Sequence, residues 1–198
     1  SKKALREKLG IHDSLPVVLL SAGAFGVMNA SDIMRILCTI TSRCHIVVIC
    51  GKNDKLKASL DIYIAENTKT LHNSYSIIGY TNSIHEYMKA ADLFIGKPGG
   101  LSSTECMVSG LPMVIWDPIP GQEIYNTYHI LENGAGVMPS NALTIGAKVD
   151  EVLASPERLS QMKQNALSIS KPHAAADIVN VMLEHESETP VKAFKRIL

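Results

Sequence analysis

Short apolar runs alternate with amphipathic segments along most of the chain, and this alternation restricts the fold more than any other feature of the sequence. Apolar runs start at or just after Pro16, His45, Tyr75, Asp92 and Met113, and a polar turn and a segment of helical periodicity follow each one. Strands that are joined by helices run parallel to one another and are covered by helices on both faces. The sequence therefore predicts an α/β fold with a doubly wound, Rossmann-like parallel sheet.

Composition restricts the class of protein. A chain of 198 residues with 46% hydrophobic residues can bury the core of one domain. Its 19 basic and 19 acidic residues cancel, so no overall field favours nucleic acid. No apolar run reaches the roughly 18 residues that span a bilayer, and we expect a cytoplasmic chain. The first residue is Ser rather than Met, which suggests a piece of a longer protein.

The cysteines and histidines lack the spacing of metal or redox sites. Four cysteines include no C-x-x-C pair, and the seven histidines form no H-x-x-x-H pair. We therefore expect buried, reduced thiols and no protein metal site.

A glycine turn that leads into a helix is the strongest candidate for a ligand site. The apolar run that follows Asp92 stops at Gly96, and Gly99 and Gly100 then allow a tight turn. Ser102 and Glu105 have the spacing of a capping box, which marks the start of a helix. A turn of this kind presents free amides and the positive end of the helix dipole, so it suits a phosphate.

A second polar segment follows the next strand. Asp117 to Gly121 forms a Pro-rich break, after which Gln122, Glu123 and Asn126 open another helix. In a doubly wound sheet, ligands bind at the carboxyl ends of the strands. The turns that follow the strands are therefore expected to line one crevice, and they lie at Gly23, Asn53, Tyr80, Gly99 and Gln122.

Several motifs together resemble one protein family. GKPGGLSSTE followed by GLPMVIWDPIPGQEIYN is similar to the donor-binding half of the GT-B membrane glycolipid glycosyltransferases, which include processive diacylglycerol glucosyltransferases and monogalactosyldiacylglycerol synthases. The N-acetylglucosaminyl transferase that forms lipid II is a more distant relative. The resemblance extends in family order to SAGAFGVMN, CGKND and IIGYTNSIHEYMKAADLFI, so it spans most of the chain.

The resemblance implies how the phosphates and ribose of a UDP-sugar are held. In the family, backbone amides of the glycine turn bind the donor diphosphate, and the corresponding residues here are Gly99, Gly100, Leu101 and Ser102. Lys97 would pair with a phosphate oxygen, or else it is an ordinary solvated lysine. Glu105 would accept the ribose hydroxyls, although the capping box offers it a structural role without a ligand.

The resemblance also implies the sites of uracil and of the transferred sugar. Tyr80 and Thr81 occupy the positions that read uracil, where simple packing of the tyrosine is the alternative. Gln122 and Glu123 match the pair that binds the sugar hydroxyls, with Asn126 beside them, and ordinary helix initiation is the alternative. Gly23, Ala24 and Phe25 would form a further loop that faces phosphate or acceptor, and Asn53 is a weaker candidate near the nucleoside.

The implied protein is an inverting glycosyltransferase that moves glucose or galactose from the UDP-sugar to diacylglycerol or to a glycosyl-diacylglycerol. Residues 1–198 would form its donor domain, with 1–10 as a linker helix from an absent N-terminal acceptor domain. That domain would supply the lipid groove and the catalytic base, so no catalytic residue is assigned in this chain. No cofactor is expected apart from the UDP-sugar co-substrate, and the full-length enzyme would be peripheral on the inner face of the membrane.

Three other functions are consistent with parts of the sequence. The chain would be a nucleotide-sugar-binding subunit if a separate partner chain carried the acceptor domain. A UDP-amino-sugar epimerase of similar fold would need an acid and a base near the sugar, and the sequence shows no matching pair. An NAD-binding module is disfavoured because the loop from Ser21 to Gly26 does not have the G-x-G-x-x-G spacing.

Overall fold

The computed structural model describes residues 1–11, 14–23 and 28–186. A six-stranded parallel sheet forms its centre. The strands are β1 Val17–Ser21, β2 His45–Ile49, β3 Ser74–Ile78, β4 Leu93–Gly96, β5 Met113–Ile115 and β6 Gly136–Val137. The helices are α1 Lys2–Lys8, α2 Ala30–Thr39, α3 Asp54–Glu66, α4 Ile84–Ala90, α5 Gly100–Val108, α6 Gln122–Glu132, α7 Ile145–Leu153, α8 Pro156–Ser168 and α9 Ala174–Glu186, with a short 3-10 helix at Ala142–Thr144.

The strand order is β3-β2-β1-β4-β5-β6, so the direction of winding reverses between β1 and β4. Leu20 of β1 lies in register with Val48 of β2 on one side and with Ile95 of β4 on the other. This order confirms the predicted doubly wound, Rossmann-like sheet. The reversal opens a crevice at the carboxyl ends of β1 and β4, which is where such folds bind ligands.

The central strands are apolar on both faces because helices cover both. Val18 and Leu20 of β1 belong to a core cluster with residues of α2, α3, α7 and α8, whereas Val17 and Leu19 belong to a second cluster with residues of α4, α5, α6 and α8. All four side chains are at most 1% exposed. This two-sided burial explains why β1 has a continuous apolar run instead of alternating polar and apolar residues.

Asp92 joins three elements at the amino edge of the sheet. Its carboxylate accepts hydrogen bonds from Lys2 Nζ at 2.7 Å, Arg6 Nη2 at 2.5 Å and Lys163 Nζ at 3.0 Å, and from the Val17 amide at 2.9 Å. Burial opposes the charged form, but the hydrogen bond from Lys2 and the surrounding positive charges hold the pKa of Asp92 below its usual range. The carboxylate thus fixes α1 and α8 against the start of β1.

No helix within residues 1–11, 14–23 and 28–186 is both long and apolar enough to cross a membrane.

Candidate functional site

A cleft of about 230 Å³ lies at the point where the sheet reverses its winding. It is formed by the ends of β1 and β4, the start of α5 and the loop after β5. Its walls contain five residues that the sequence singled out, namely Gly23, Lys97, Gly99, Ser102 and Glu123. The fold therefore brings together turns that are up to a hundred residues apart in the chain.

The helix at the cleft begins earlier than the sequence predicts. Gly99 is the N-cap of α5, and no side chain caps this helix. The predicted capping box of Ser102 and Glu105 is wrong, because Ser102 is already the third helical residue. Glu105 is exposed, and its side chain has no hydrogen bond or ion pair within the described part of the chain. The structural role that competed with ligand binding at Glu105 is therefore removed.

Neither glycine of the turn is required by an unusual dihedral angle, and a Cβ at either position would make only ordinary van der Waals contact. Gly99 has φ −63° and ψ 154°, which any residue can adopt. A Cβ at Gly99 would lie 3.6 Å from Glu123 Oε1, and one at Gly100 would lie 3.7 Å from Gln122 Nε2. The side of the turn that carries no Cβ atoms therefore faces Gln122 and Glu123, the first two residues of α6. The first-turn amides of α5 lie beside them, with the positive end of the helix dipole.

Four hydrogen bonds fix the loop after β5, the glycine turn and the start of α6 relative to one another. Lys97 Nζ donates to the Asp117 carbonyl oxygen at 2.8 Å and to Asp117 Oδ2 at 2.9 Å. Glu123 Oε2 accepts from the Ile119 amide at 2.6 Å. Asn126 Nδ2 donates to the Pro98 carbonyl oxygen at 2.8 Å, which ties α6 to the glycine turn. Lys97 is therefore neither free nor simply solvated.

Asp117 adopts the left-handed conformation with φ 45°, the one described non-glycine residue with positive φ. A short polar side chain tolerates this region better than others do. Gly121, with φ 104°, completes the sharp turn that directs Gln122 and Glu123 back toward the glycine turn.

Other predicted residues lie around the cleft without lining it. Gly100, Gln122 and Asn126 line an adjoining groove between α5 and α6. Leu101 is 82% exposed on the first turn of α5.

The residues predicted to contact the nucleoside lie farther from the cleft. Tyr80 and Thr81 follow β3, at the edge of the sheet, and Lys52 Nζ lies 5.3 Å from the centre of the Tyr80 ring. Ala24 and Phe25 lie outside the described residues, and Asn53 caps α3 by accepting from the Leu56 amide.

Sequence reasoning missed several residues of the cleft. Ser21, Ala22, Met28, Phe94 and Ile119 also line it. Ser21 is the last residue of β1, and its Oγ accepts from the Gly23 amide at 3.3 Å. Because Ser21 ends a strand, the sequence could have indicated it as a residue of the ligand cleft.

The chemistry of the cleft suits an anionic, hydroxyl-rich ligand. Amides and a helix dipole face it from α5, and the carboxylate of Glu123 faces it from α6, with the amide of Gln122 in the adjoining groove. Within the ranges that the structure describes, no group of three or more His, Cys, Asp or Glu side chains is arranged to hold a metal ion. The prediction of buried thiols is confirmed for Cys44, Cys50 and Cys106 and is wrong for Cys38, which is exposed near the end of α2. Burial raises the pKa of Cys44 to about 12 and that of Cys50 to about 11.

Comparison with known proteins agrees with this geometry. Residues 27–181 match the Glycosyltransferase family 28 C-terminal domain. A processive diacylglycerol β-glucosyltransferase of Bacillus pumilus is 33% identical over 184 residues, which are 92% of this chain and 47% of that protein. The same enzyme of Bacillus subtilis is 30% identical over 193 residues, 97% of this chain and 49% of that protein. The chain spans about half the length of these curated relatives.

Solved structures share the fold at lower sequence identity. MurG of Acinetobacter baumannii superposes with a TM-score of 0.72 at 18% identity, over 92% of this chain and 53% of that one. HepE of Anabaena, solved in complex with UDP-glucose, gives a TM-score of 0.68 at 16% identity, over 95% of this chain and 52% of that one. The predicted resemblance to GT-B glycosyltransferases is confirmed. Because the family match covers most of its residues, the chain belongs to glycosyltransferase family 28, whose C-terminal domain it contains.

Proposed function

We propose that this chain is the donor-binding half of a glycosyltransferase that moves a hexose from a UDP-sugar to diacylglycerol or to a glycosyl-diacylglycerol. One observation supports the proposal: the glycine turn at the start of α5 faces Gln122 and Glu123, whose side chains would lie within 4 Å of a Cβ added at Gly100 and at Gly99, respectively. This arrangement sets donors for phosphate beside hydrogen-bonding groups for sugar hydroxyls, which is the chemistry that a nucleotide-sugar presents.

The diphosphate would lie against the first turn of α5. The amides of Gly100, Leu101 and Ser102 belong to that turn, where helical amides lack partners within the helix. Lys97 would move from Asp117 to a phosphate oxygen, or would act by holding the loop after β5. The departing UDP gains charge during transfer, so these donors would also stabilise the transition state.

The nucleoside would be bound by Glu105 of α5 and by the loop that follows β3. Glu105 would accept both ribose hydroxyls, since its carboxylate is exposed and has no partner among the described residues. Tyr80 and Thr81 would contact uracil. The ring of Tyr80 is 56% exposed, so one face of it is accessible for stacking.

The sugar would be recognised by Gln122 and Glu123. Glu123 Oε2 is occupied by the Ile119 amide, which fixes the carboxylate and directs Oε1 toward the glycine turn. Asn126 would act indirectly, by fixing Pro98. Each unmatched sugar hydroxyl would leave a buried polar group unpaired, so this pair would contribute to the choice of hexose.

The acceptor and the catalytic base would come from residues outside this chain. The relatives named as diacylglycerol glucosyltransferases are about twice as long. We therefore propose that α1 connects to an acceptor domain, that the complete enzyme works at the inner membrane surface, and that the isolated chain transfers little or no sugar. A separate partner chain with the acceptor domain would serve equally well.

A transfer assay tests the proposal. The complete gene product, and separately this chain, are incubated with labelled UDP-glucose or UDP-galactose and vesicles that contain diacylglycerol. The proposal predicts labelled glycolipid and released UDP from the complete protein with one of the two donors, and a strong loss of product in Glu123→Gln. Absence of transfer from both donors would contradict the proposed reaction, and turnover by this chain alone would contradict the assignment of the base to another domain.

A further inference from the structure

A second groove lies on the helical layer beside the donor cleft. It has a volume of about 430 Å³ and runs between α5, α6 and the segment that joins α8 to α9. Gly100, Gln122 and Asn126 form the side that it shares with the proposed donor site. The other residues that line the groove have no role in the proposed donor site.

The inner wall of this groove contains an unpaired hydroxyl. Ser103 of α5 lines the groove and is only 8% exposed. Its Oγ is buried and has no hydrogen-bond partner among the residues that the structure describes. Thr104, the next residue, instead donates from its Oγ1 to the Gly100 carbonyl oxygen at 2.8 Å. Buried hydroxyls are nearly always paired, so an unpaired one on a cavity wall points to a ligand that completes it.

The charge of the groove favours an anion. Lys171 lies at its rim, next to Ala174, the first residue of α9, whose thirteen residues direct the positive end of their dipole there. The imidazole of His129 is a further polar group on the wall. None of the described residues that line the groove is an aspartate or a glutamate.

The floor of the groove is apolar. Met107 is 5% exposed and Ile130 1% exposed, and both line it together with Ile169. A bare inorganic ion would leave this floor uncovered. The volume and the floor therefore fit a molecule with an anionic end and a small apolar body better than an ion alone.

We propose that this groove binds a phosphomonoester as a second ligand, with the phosphate at Ser103, Lys171 and the start of α9 and the apolar part over Met107 and Ile130. A phosphomonoester of this kind exists both as a soluble metabolite and as the head group of an acidic lipid. Because the groove adjoins Gln122, occupancy would affect the residue that is proposed to contact the donor sugar. The binding itself does not depend on the identity of the donor.

Calorimetric titration with phenyl phosphate tests the soluble form, with inorganic phosphate and phenol as partial ligands. Co-sedimentation with phosphatidylcholine vesicles, with and without phosphatidic acid, tests the lipid form. Both are run on the wild-type chain and on Lys171→Ala, Ser103→Ala and Lys69→Ala, where Lys69 is an exposed lysine far from the groove in sequence. The titrations are repeated with UDP present. Any binding of the phosphate ligand at the Gly99 turn would then be weakened, because UDP would compete for that site.

The proposal predicts that phenyl phosphate binds more tightly than inorganic phosphate, with and without UDP. Lys171→Ala should weaken binding about tenfold and Ser103→Ala about fivefold, while Lys69→Ala leaves it unchanged. Ser103→Ala should unfold at the same or a higher temperature than wild type, since it removes an unpaired buried hydroxyl. Retention only on phosphatidic acid vesicles, with the same dependence on Lys171 and Ser103, would assign the lipid source. Equal binding by all four chains in both assays, or no binding in either, would overturn the proposal.

Discussion

At the scale of single residues, the candidate site includes one carboxylate that has no structural role in the fold. It is that of Glu105, because α5 is capped by Gly99 and the carboxylate has no partner among the described residues. A residue in this state can change without cost to the fold. Replacing Glu105 should therefore change ligand affinity without changing the free energy of unfolding. This separation is not expected where a ligand-binding side chain also stabilises the fold.

We expect Glu105→Gln to weaken UDP binding about tenfold and to leave thermal unfolding unchanged. The amide keeps the size of the carboxylate, but it accepts hydrogen bonds more weakly from two ribose hydroxyls. Calorimetry with UDP and a melting curve on the same sample measure both quantities. Unchanged UDP affinity would remove Glu105 from the site.

Asp117 shows the opposite case, a residue at the cleft whose backbone is strained. Its φ of 45° suits Asp and Asn, whereas an alanine there costs about 1 kcal/mol more. Asp117→Ala should therefore be less stable than Asp117→Asn by about that amount in denaturant unfolding. Both variants lose the carboxylate partner of Lys97, so they form a matched pair. Equal stability of the two would show that the left-handed conformation is not maintained.

At the scale of elements, the helices approach each other closely where glycine allows it. A Cβ at Gly146, near the start of α7, would lie 2.4 Å from the backbone carbon and oxygen of Thr39 at the end of α2. These atoms cannot move as the tip of a flexible side chain can. The contact between α2 and α7 therefore requires glycine at this position.

Gly146→Ala should destabilise the fold by about 2 kcal/mol, even though alanine is the better helix former. Gly79→Ala serves as the control, because a Cβ there would meet only Lys57 Cδ at 3.7 Å. We expect the control to change the free energy of unfolding by less than about 0.5 kcal/mol. A neutral or stabilising Gly146→Ala would mean that α7 packs less closely than the structure indicates.

The elements were largely predictable from the sequence, whereas the contacts that fix the site were not. Apolar periodicity located the starts of the first five strands to within about one residue, because burial on two faces leaves a strong pattern. The start of α5 was misplaced, since Ser102 and Glu105 imitate a capping box while Gly99 is the actual cap. The pairing of Lys97 with Asp117 joins residues that are 20 positions apart, and no local pattern reports such a contact.

At the scale of the whole molecule, Asp92 links the first helix to the domain and gives stability a dependence on pH. The hydrogen bonds and charges around it outweigh burial and hold its pKa below the unfolded value. The unfolded chain therefore takes up the proton first as the pH falls. The contribution of Asp92 is complete above about pH 4 and is lost as the pH falls further toward the folded pKa.

Asp92→Asn should lower stability by about 2 kcal/mol at pH 7, because Lys2, Arg6 and Lys163 lose their shared partner. The difference between the two chains should shrink as the pH is lowered from about 4 to 2. Urea unfolding at several pH values measures this difference in the free energy of unfolding. The other acidic groups are present in both chains, so their titration does not contribute to the difference. A difference that stays constant down to pH 2 would show that Asp92 is not charged in the folded protein.

The most direct test of the central claim, that the cleft holds the nucleotide of a UDP-sugar, is calorimetric titration of this chain with UDP, with ADP and NAD as controls. We predict saturable binding of UDP at one site, with no comparable binding of ADP or NAD. Binding of ADP or NAD with an affinity equal to that of UDP would contradict the account, and so would the absence of UDP binding both in this chain and in the full-length gene product.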